Sequence, residues 1–582
     1  MRQFVWPRLI PQRATVLIAF FIILPAALNL IFISKYGVNC VYADQWELVP
    51  LFDKLFSGNL SVADVFAQHN EHRVFIPRAV MLALGSITHY NTVAEMYFDW
   101  LLMCLICLVL WKLFVRLIGF SNITMAKFIP VTWLIFSVRP FWNLLAGFQM
   151  CTFLLILFLV LTIFLLAESK RPDWRFALAL VCALACTYSS APGLLVWPVG
   201  LVQIIFTGRS ADQRRWGPYI WKSACWIITG IAAFLLYFWN YKQPPQASAS
   251  LFFLEDPVLT ARFGLVVLGS PLTLDALAAY RIGLLLLVMY VAISVVVVFK
   301  PVTWTSKWPF LSLVFFTILM AAGLVEARSD WGITAALESR YTTMTVMGIV
   351  GFYALIISMD IKDAIVRYLT WGFMIYLILA GSGPLATMAY FQIGENMYAA
   401  RRATAYHLAT FNYQSDETLL ELYPRPEIVR ARSEILIKYK LNVFHDEMLS
   451  AAGLTPLNKE PLYHIDAVNG QTNALPKLLS LETEKGDSLK IRGWVVDQDN
   501  SKTAGGVLIV IDGNLEVPAL YGLDRPDIAA FHKNNNYRYS GFEASVPASV
   551  IGPGRHVIDI MVISADRRSY YLPVQILTLD IK

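Results

Sequence analysis

Apolar runs long enough to cross a lipid bilayer recur from Val16 to about Tyr390 and then stop. A hydrocarbon core about 30 Å thick needs about 17 to 25 predominantly apolar residues in a helix. Within lipid each backbone amide must be bonded inside the chain, which leaves helices or closed barrels, and runs of this length select helices. The 582 residues are 57% hydrophobic and 15% charged, outside the range of soluble globular domains. The expected fold is a mainly α polytopic membrane protein.

Orientation follows from where Lys and Arg gather in short loops, because basic residues are retained on the cytoplasmic side. They cluster at the N-terminus (Arg2, Arg8, Arg13) and at Lys112 to Lys127, Lys170 to Arg175, Arg209 to Lys222, Lys300 to Lys307 and Lys362 to Arg367. Joining these clusters predicts about eleven spans, near 14–34, 94–116, 124–140, 148–167, 175–190, 191–207, 219–239, 279–299, 309–325, 341–358 and 368–390. The first run is too long for a signal-peptide core and lacks a small-x-small exit, so it reads as an uncleaved helix with a cytoplasmic N-terminus. Two further stretches, Val74 to Ile87 and Leu259 to Leu274, read as interfacial or re-entrant helices; counted as spans they raise the number to about thirteen.

The net charge of +6 is spread over these short clusters, not concentrated on a basic face, so nucleic acid is not an expected partner. Cys104 and Cys107 have CxxC spacing but lie in an unbroken apolar run, where buried small residues are the simpler reading.

The first outer loop, 35–91, concentrates ionisable groups: Asp44, Glu47, Asp53, Asp64, His69, Glu71, His72, Arg73 and Arg78. Asp44 and Glu47 flank Trp46, and three-residue spacing on a helix puts both carboxylates on one face. Capping of the following helix accounts for Asp44 alone. It does not account for His69-Asn70-Glu71-His72-Arg73, five polar residues in succession. A carboxylate can take the proton of an acceptor hydroxyl while Arg, His or a metal stabilises a departing phosphate.

With these residues the membrane part, about 1–400, resembles the GT-C superfamily of polytopic glycosyltransferases, which includes protein O-mannosyltransferases, oligosaccharyltransferases and the bacterial aminoarabinose transferase. In that superfamily an acidic motif shortly after the first helix carries the catalytic or metal-binding carboxylate. Asp44 with Glu47 occupies that place here, reading Asp-Gln-Trp-Glu where several members have adjacent acids, and Glu71 is similar to a second acid later in the loop. The resemblance implies a sugar transferase using a polyprenyl-phosphate donor and an envelope glycan, lipid or protein as acceptor. Asp44, Glu47 and Glu71 are then the expected catalytic residues. Arg73, Arg340, His69 and His72 are expected on the phosphate, and Trp46, Asn70 and Tyr341 on the substrate. Some relatives use a divalent metal and others none, so cofactor use is left open.

Arg340 and Tyr341 enter through a late outer segment, Glu326-Ala-Arg328-Ser-Asp330 followed by Glu338-Ser-Arg340-Tyr341. A guanidinium there suits a phosphate, and a tyrosine suits a sugar or isoprenoid face; an ion-paired interfacial loop is the alternative. Arg139 and Asn143 either line a cavity or anchor the interface. Gly193, Gly269 and Gly283 form no phosphate-binding pattern.

Beyond about residue 393 the composition changes. Residues 393–484 read as a helical linker region and 485–582 as an antiparallel β-sandwich, with short β-branched runs separated by Asp512-Gly513, Arg525-Pro526-Asp527 and Gly552-Pro553-Gly554. Trp494, Tyr521, Arg525, Asp527 and Phe542 fall near its turns as candidate carbohydrate contacts, although core packing also explains Trp494 and Phe542. The expected location is a bacterial inner membrane with the β domain periplasmic. The rival functions are a glycolipid flippase, whose charges belong near the bilayer midplane, and an O-antigen polymerase or ligase.

Overall fold

The computed structural model describes residues 12–169, 171–209, 217–244, 255–299, 302–359, 364–445, 449–472, 478–482 and 487–582. Of the basic clusters used to orient the chain, Arg2, Arg8, Lys170, Arg214, Arg215, Lys300 and Lys362 lie outside them. The chain is an integral membrane protein with multiple spans: among the described residues eight helices are long and apolar enough to cross a bilayer. They coincide with eight of the eleven expected spans. The other three are helices of 14 residues each, Asn122–Ile135, Trp174–Thr187 and Val196–Arg209. At a rise of 1.5 Å per residue such a helix reaches only about 21 Å, short of the hydrocarbon thickness. The two stretches set aside as interfacial form helices of 14 and 13 residues, Phe75–Thr88 and Pro257–Gly269.

The chain divides into two compact units. One comprises Met1–Gly37, Lys54–Thr88 and Thr92–Tyr398, the other Val38–Asp53, His89–Asn91 and Ala399–Lys582. The loop 35–91 is therefore shared out: Asp44, Trp46 and Glu47 belong to one unit, and His69 to Arg73 to the other.

In the first unit, Ser339–Ile357 is the innermost helix, 89% of its apolar window being buried. The helices Gly217–Tyr237 and Ala276–Phe299 instead turn Ile228, Leu235, Val288 and Val291 outward, the pattern expected of a lipid-facing surface. Small residues set the closest helix contacts, as they do where lipid removes the hydrophobic drive between helices. A Cβ on Gly283 would stand 1.7 Å from the Leu265 carbonyl oxygen, and one on Gly269 2.0 Å from that of Ala279. These two glycines let the hairpin of Pro257–Gly269 and Ala276–Phe299 close. Asp173 and Asp256 start their helices as N-caps, accepting from Phe176 N at 3.1 Å and Leu259 N at 2.9 Å.

The second unit joins the helical segment that includes Pro426–Lys438 to two sheets. The strands are β1 Thr455–Leu457, β2 Leu462–Val468, β3 Leu478–Leu481, β4 Ser488–Asp497, β5 Lys502–Thr503, β6 Gly506–Ile511, β7 Leu515–Pro518, β8 Leu520–Leu523, β9 Gly541–Pro547, β10 Gly554–Ile563 and β11 Ser569–Ile581. One sheet runs β1-β11-β10-β6-β7 with β3 also on β11, the other β2-β4-β9-β8 with β5 on β4. β1 and β3 pair parallel to β11, so the first sheet is mixed where an antiparallel one was expected, and strands begin upstream of the boundary drawn at 485. On β4, Leu489, Ile491 and Val495 point into the core shared by the sheets, while Lys490 and Arg492 point out, the period-two alternation of a half-buried strand. The turn at Asp512-Gly513 has both φ angles positive, 51° and 73°, as a tight hairpin requires.

Of the candidate carbohydrate contacts, Phe542 is 1% exposed in that core. Trp494 packs with Val496, Ile528 and Tyr537 on the outer face of its sheet. The Tyr521 hydroxyl donates to Val495 O at 2.8 Å and accepts from Ala504 N at 2.9 Å. Arg525 is paired with Asp466 and Asp527.

Candidate functional site

In the first unit the polar run 69–73 is folded into a tight turn. His69 and His72 exchange both backbone hydrogen bonds at 2.8 Å, and Asn70 supplies the left-handed residue, φ +48°, which asparagine tolerates better than most. Glu71 sits at the tip. Its carboxylate meets the guanidinium of Arg328, at the end of the helix Trp308–Arg328, and lies 3.7 Å from His72 Nε2. The Ala191 N–H donates to His72 Nδ1 at 3.2 Å; in the neutral ring the proton is therefore on Nε2, facing Glu71. Burial by itself raises the pKa of Glu71, but His72 and Arg328 outweigh it and the net shift is downward. Arg328 also lies over the Trp331 ring, 4.3 Å from its centroid.

The neighbours of this turn are differently employed. Arg73 directs Nε to Tyr237 O at 2.6 Å, Nη1 to Phe66 O at 3.1 Å and Nη2 to Trp239 O, clamping loop to helix end. His69 is buried against the Phe148 ring, and Asn70 Nδ2 is 3.4 Å from His69 Nε2.

A second polar cluster of this unit forms around 337–343. Arg340 is partly exposed, with Nε 2.7 Å from Glu338 Oε2, while Tyr341 is buried beneath the Arg340 guanidinium. Asn143 Nδ2 ties this segment down through Arg340 O at 3.0 Å and Thr343 Oγ1 at 2.8 Å. Arg139 does the same through Nη2 to Leu337 O at 2.8 Å and Nε to Ser270 O at 3.0 Å. It is 1% exposed, a buried guanidinium that joins three chain segments.

Sequence reasoning missed Glu95 and Asp99. They stand one turn apart on the helix Thr92–Ile118, both wholly buried, and neither Asp99 oxygen has a hydrogen-bond partner among the described residues. Spacing of four and seven residues continues the same face to Met103 and Ile106. A Cβ on Gly147 would lie 2.0 Å from Glu95 Oε2, so the start of the span Gly147–Glu168 passes this helix too closely for a side chain at that position. The available signal was two acids four apart at the head of an apolar run, since ionisable residues within spans are costly and rarely incidental.

In the second unit Asp44 lies in the 3₁₀ turn Ala43–Leu48. Residues three apart eclipse in such a turn, so Asp44 and Glu47 do share a face. Ala43 is left-handed, φ +48°, which costs a residue with a Cβ about 1–2 kcal/mol. Its N–H reaches Leu422 O at 3.2 Å. Glu47 is held by Arg432 Nη1 at 2.8 Å and by the Tyr423 hydroxyl at 2.9 Å. Trp46 is fully buried as a core side chain. Asp53 accepts from Lys438 and Tyr439, each at 2.9 Å, and these bonds hold its pKa below the usual carboxylate range. The Arg401 guanidinium stacks 3.3 Å from the Tyr42 ring centroid.

Among the described residues no group of three or more His, Cys, Asp or Glu is placed to hold a metal ion. No family model, curated protein or solved structure matches this chain.

Proposed function

We propose that the protein is a membrane glycosyltransferase that moves a sugar from a polyprenyl-phosphate donor to an envelope acceptor on the outer face of a bacterial inner membrane. The observation that carries this reading is the turn at Ala43–Leu48. It presents the half-buried Asp44 carboxylate directly after a left-handed alanine, on a face shared with Glu47, which Arg432 and Tyr423 hold in place. Backbone strain of this kind persists where the surrounding structure over-determines it, as at functional sites. A carboxylate so held is suited to take the proton of an acceptor hydroxyl as the glycosyl bond forms and the lipid phosphate departs. Separately, in the first unit, the Glu71–His72–Arg328 cluster sets a carboxylate beside two cationic or proton-bearing neighbours, a combination suited by itself to orienting a hydroxyl.

A second reading, a glycolipid flippase, is favoured by the buried Glu95 and Asp99, because transporters place ionisable groups within their spans. One assay separates the two: transfer of radiolabelled sugar from polyprenyl-phosphate donors in proteoliposomes, comparing the parent chain with Asp44→Asn and Glu71→Gln. Loss of turnover in a folded variant that still binds donor supports the transferase. Labelled lipid that crosses uncleaved, indifferent to both substitutions, supports the flippase.

A further inference from the structure

The chain that follows the membrane helices reads as a linker, yet in the second unit residues 422–442 hold the segment 38–53 at both ends and in the middle. Asn442 is 2% exposed and left-handed, φ +55°, a conformation asparagine tolerates. Its Oδ1 accepts from Val41 N at 3.1 Å, and its Nδ2 donates to Asn39 Oδ1 at 2.7 Å and to Tyr90 O at 2.9 Å. Its own N–H donates to His89 O at 2.8 Å. At the other end, Lys438 and Tyr439 hold Asp53.

Between these anchors lies the turn Ala43–Leu48. Leu422 O takes the Ala43 N–H at 3.2 Å, the Tyr423 hydroxyl donates to Glu47 Oε1 at 2.9 Å, and the Tyr90 hydroxyl donates to Gln45 O at 2.9 Å. Arg432 sets both terminal nitrogens on Glu47 and bonds the Trp46 carbonyl at 2.6 Å. The helix Pro426–Lys438 can keep Arg432 in place because Val429, Ser433 and Leu436 form one buried stripe along it, the four- and three-residue spacing of an anchored face. These contacts decide which carboxylate can work as a base. Glu47 accepts from two nitrogens of Arg432 and from Tyr423. Protonating it would remove the charge that balances Arg432 and leave a guanidinium only 18% exposed without compensation.

We propose that residues 422–442 are the frame that aims Asp44, that Arg432 and Tyr423 are positioning residues acting through Glu47, and that Glu47 is not the base. In the step they serve, the Asp44 carboxylate takes the proton of the acceptor hydroxyl and the freed oxygen bonds the anomeric carbon. The bond from that carbon to the phosphate oxygen breaks, and its electron pair leaves on the phosphate. The role of Asp44 as base rests on the transferase reading; the frame does not.

Two measurements on the full chain in proteoliposomes test this: hydrogen exchange over residues 41–49, which needs no substrate, and initial rates of sugar transfer from polyprenyl-phosphate donors. Arg432→Gln should speed exchange and lower kcat about 10- to 100-fold, as expected when a reacting group is misplaced, with KM for the donor unchanged. Tyr423→Phe removes one hydroxyl and leaves the helix intact; it should move both readouts the same way by less. Glu47→Gln keeps an acceptor oxygen for Arg432 and Tyr423 and should lose less turnover than Arg432→Gln. Asp44→Asn should lose about 100-fold or more, with exchange unaltered. Faster exchange at parental kcat in Arg432→Gln and Tyr423→Phe would reduce the segment to fold support and overturn the proposal. So would unaltered exchange in both, or a Glu47→Gln loss equal to that of Asp44→Asn at parental exchange, which makes Glu47 the base. A parent chain that transfers no sugar removes the transferase reading and the base with it, and the exchange result then decides the frame by itself.

Discussion

Arg432 reaches Glu47 with both terminal nitrogens, Nη1 at 2.8 Å from Oε1 and Nη2 at 3.5 Å from Oε2, and Nη1 also donates to the Trp46 carbonyl at 2.6 Å. One guanidinium thus fixes both the side chain of Glu47 and the backbone of the turn that carries Asp44. Truncating either member of a partly buried, hydrogen-bonded pair leaves the other uncompensated. Arg432→Ala and Glu47→Ala are each expected to cost about 1–3 kcal/mol. The double variant should cost less than their sum. Thermal unfolding of the detergent-solubilised chain measures the cycle; strict additivity would show that the pair is not coupled.

The lowered pKa of Glu71 sets a pH dependence whose sign is fixed. Its folded value lies below the ordinary 4.5. Its contribution is therefore complete above that pH and is lost as pH falls through the depressed folded value. The melting temperature of the parent chain should fall more steeply than that of Glu71→Gln below about pH 4.5. Parallel profiles for the two proteins would count against the ion pair with Arg328.

Gly147→Ala places a methyl 2.0 Å from Glu95 Oε2 and 2.6 Å from Glu95 Cβ. The second contact is close to the backbone and cannot be relieved by a rotamer change. Overpacking of this kind typically costs about 1–3 kcal/mol, occasionally more. The yield of monodisperse protein and its melting temperature should both drop, and Gly147→Ala combined with Glu95→Ala should recover part of the loss.

Asp497, wholly buried at the end of β4, accepts four hydrogen bonds. Oδ1 takes the Asn500 N–H at 3.0 Å and the Tyr571 hydroxyl at 2.7 Å, and Oδ2 takes Ala565 N at 2.7 Å and Asn500 Nδ2 at 2.8 Å. Asp497→Asn turns one acceptor into a donor facing two donors, an expected cost of about 1–3 kcal/mol. Hydrogen exchange on the full chain should show lost protection in β6 and β10, with the membrane helices unaffected.

The membrane class of the chain was legible in its sequence, because the length and apolarity of a run are local properties and lipid admits few structures for it. So were the tight turn at Asp512-Gly513 and the shared face of Asp44 and Glu47, which follow from φ preferences and three-residue spacing. Span length was less legible, since the helices 122–135 and 174–187 are each 14 residues long although their apolar runs continue further. What only the tertiary structure decided is who meets whom. Arg432 lies 385 residues from Glu47, and Arg328 lies 257 from Glu71. The same loop contributes to two compact units, and Arg139, which reads as an interfacial anchor or a cavity residue, is a buried hub whose Nη1 has no partner among the described residues. Burial and ion pairing at such separations depend on the packing of the whole chain, so neither a window of sequence nor its charge pattern contains them.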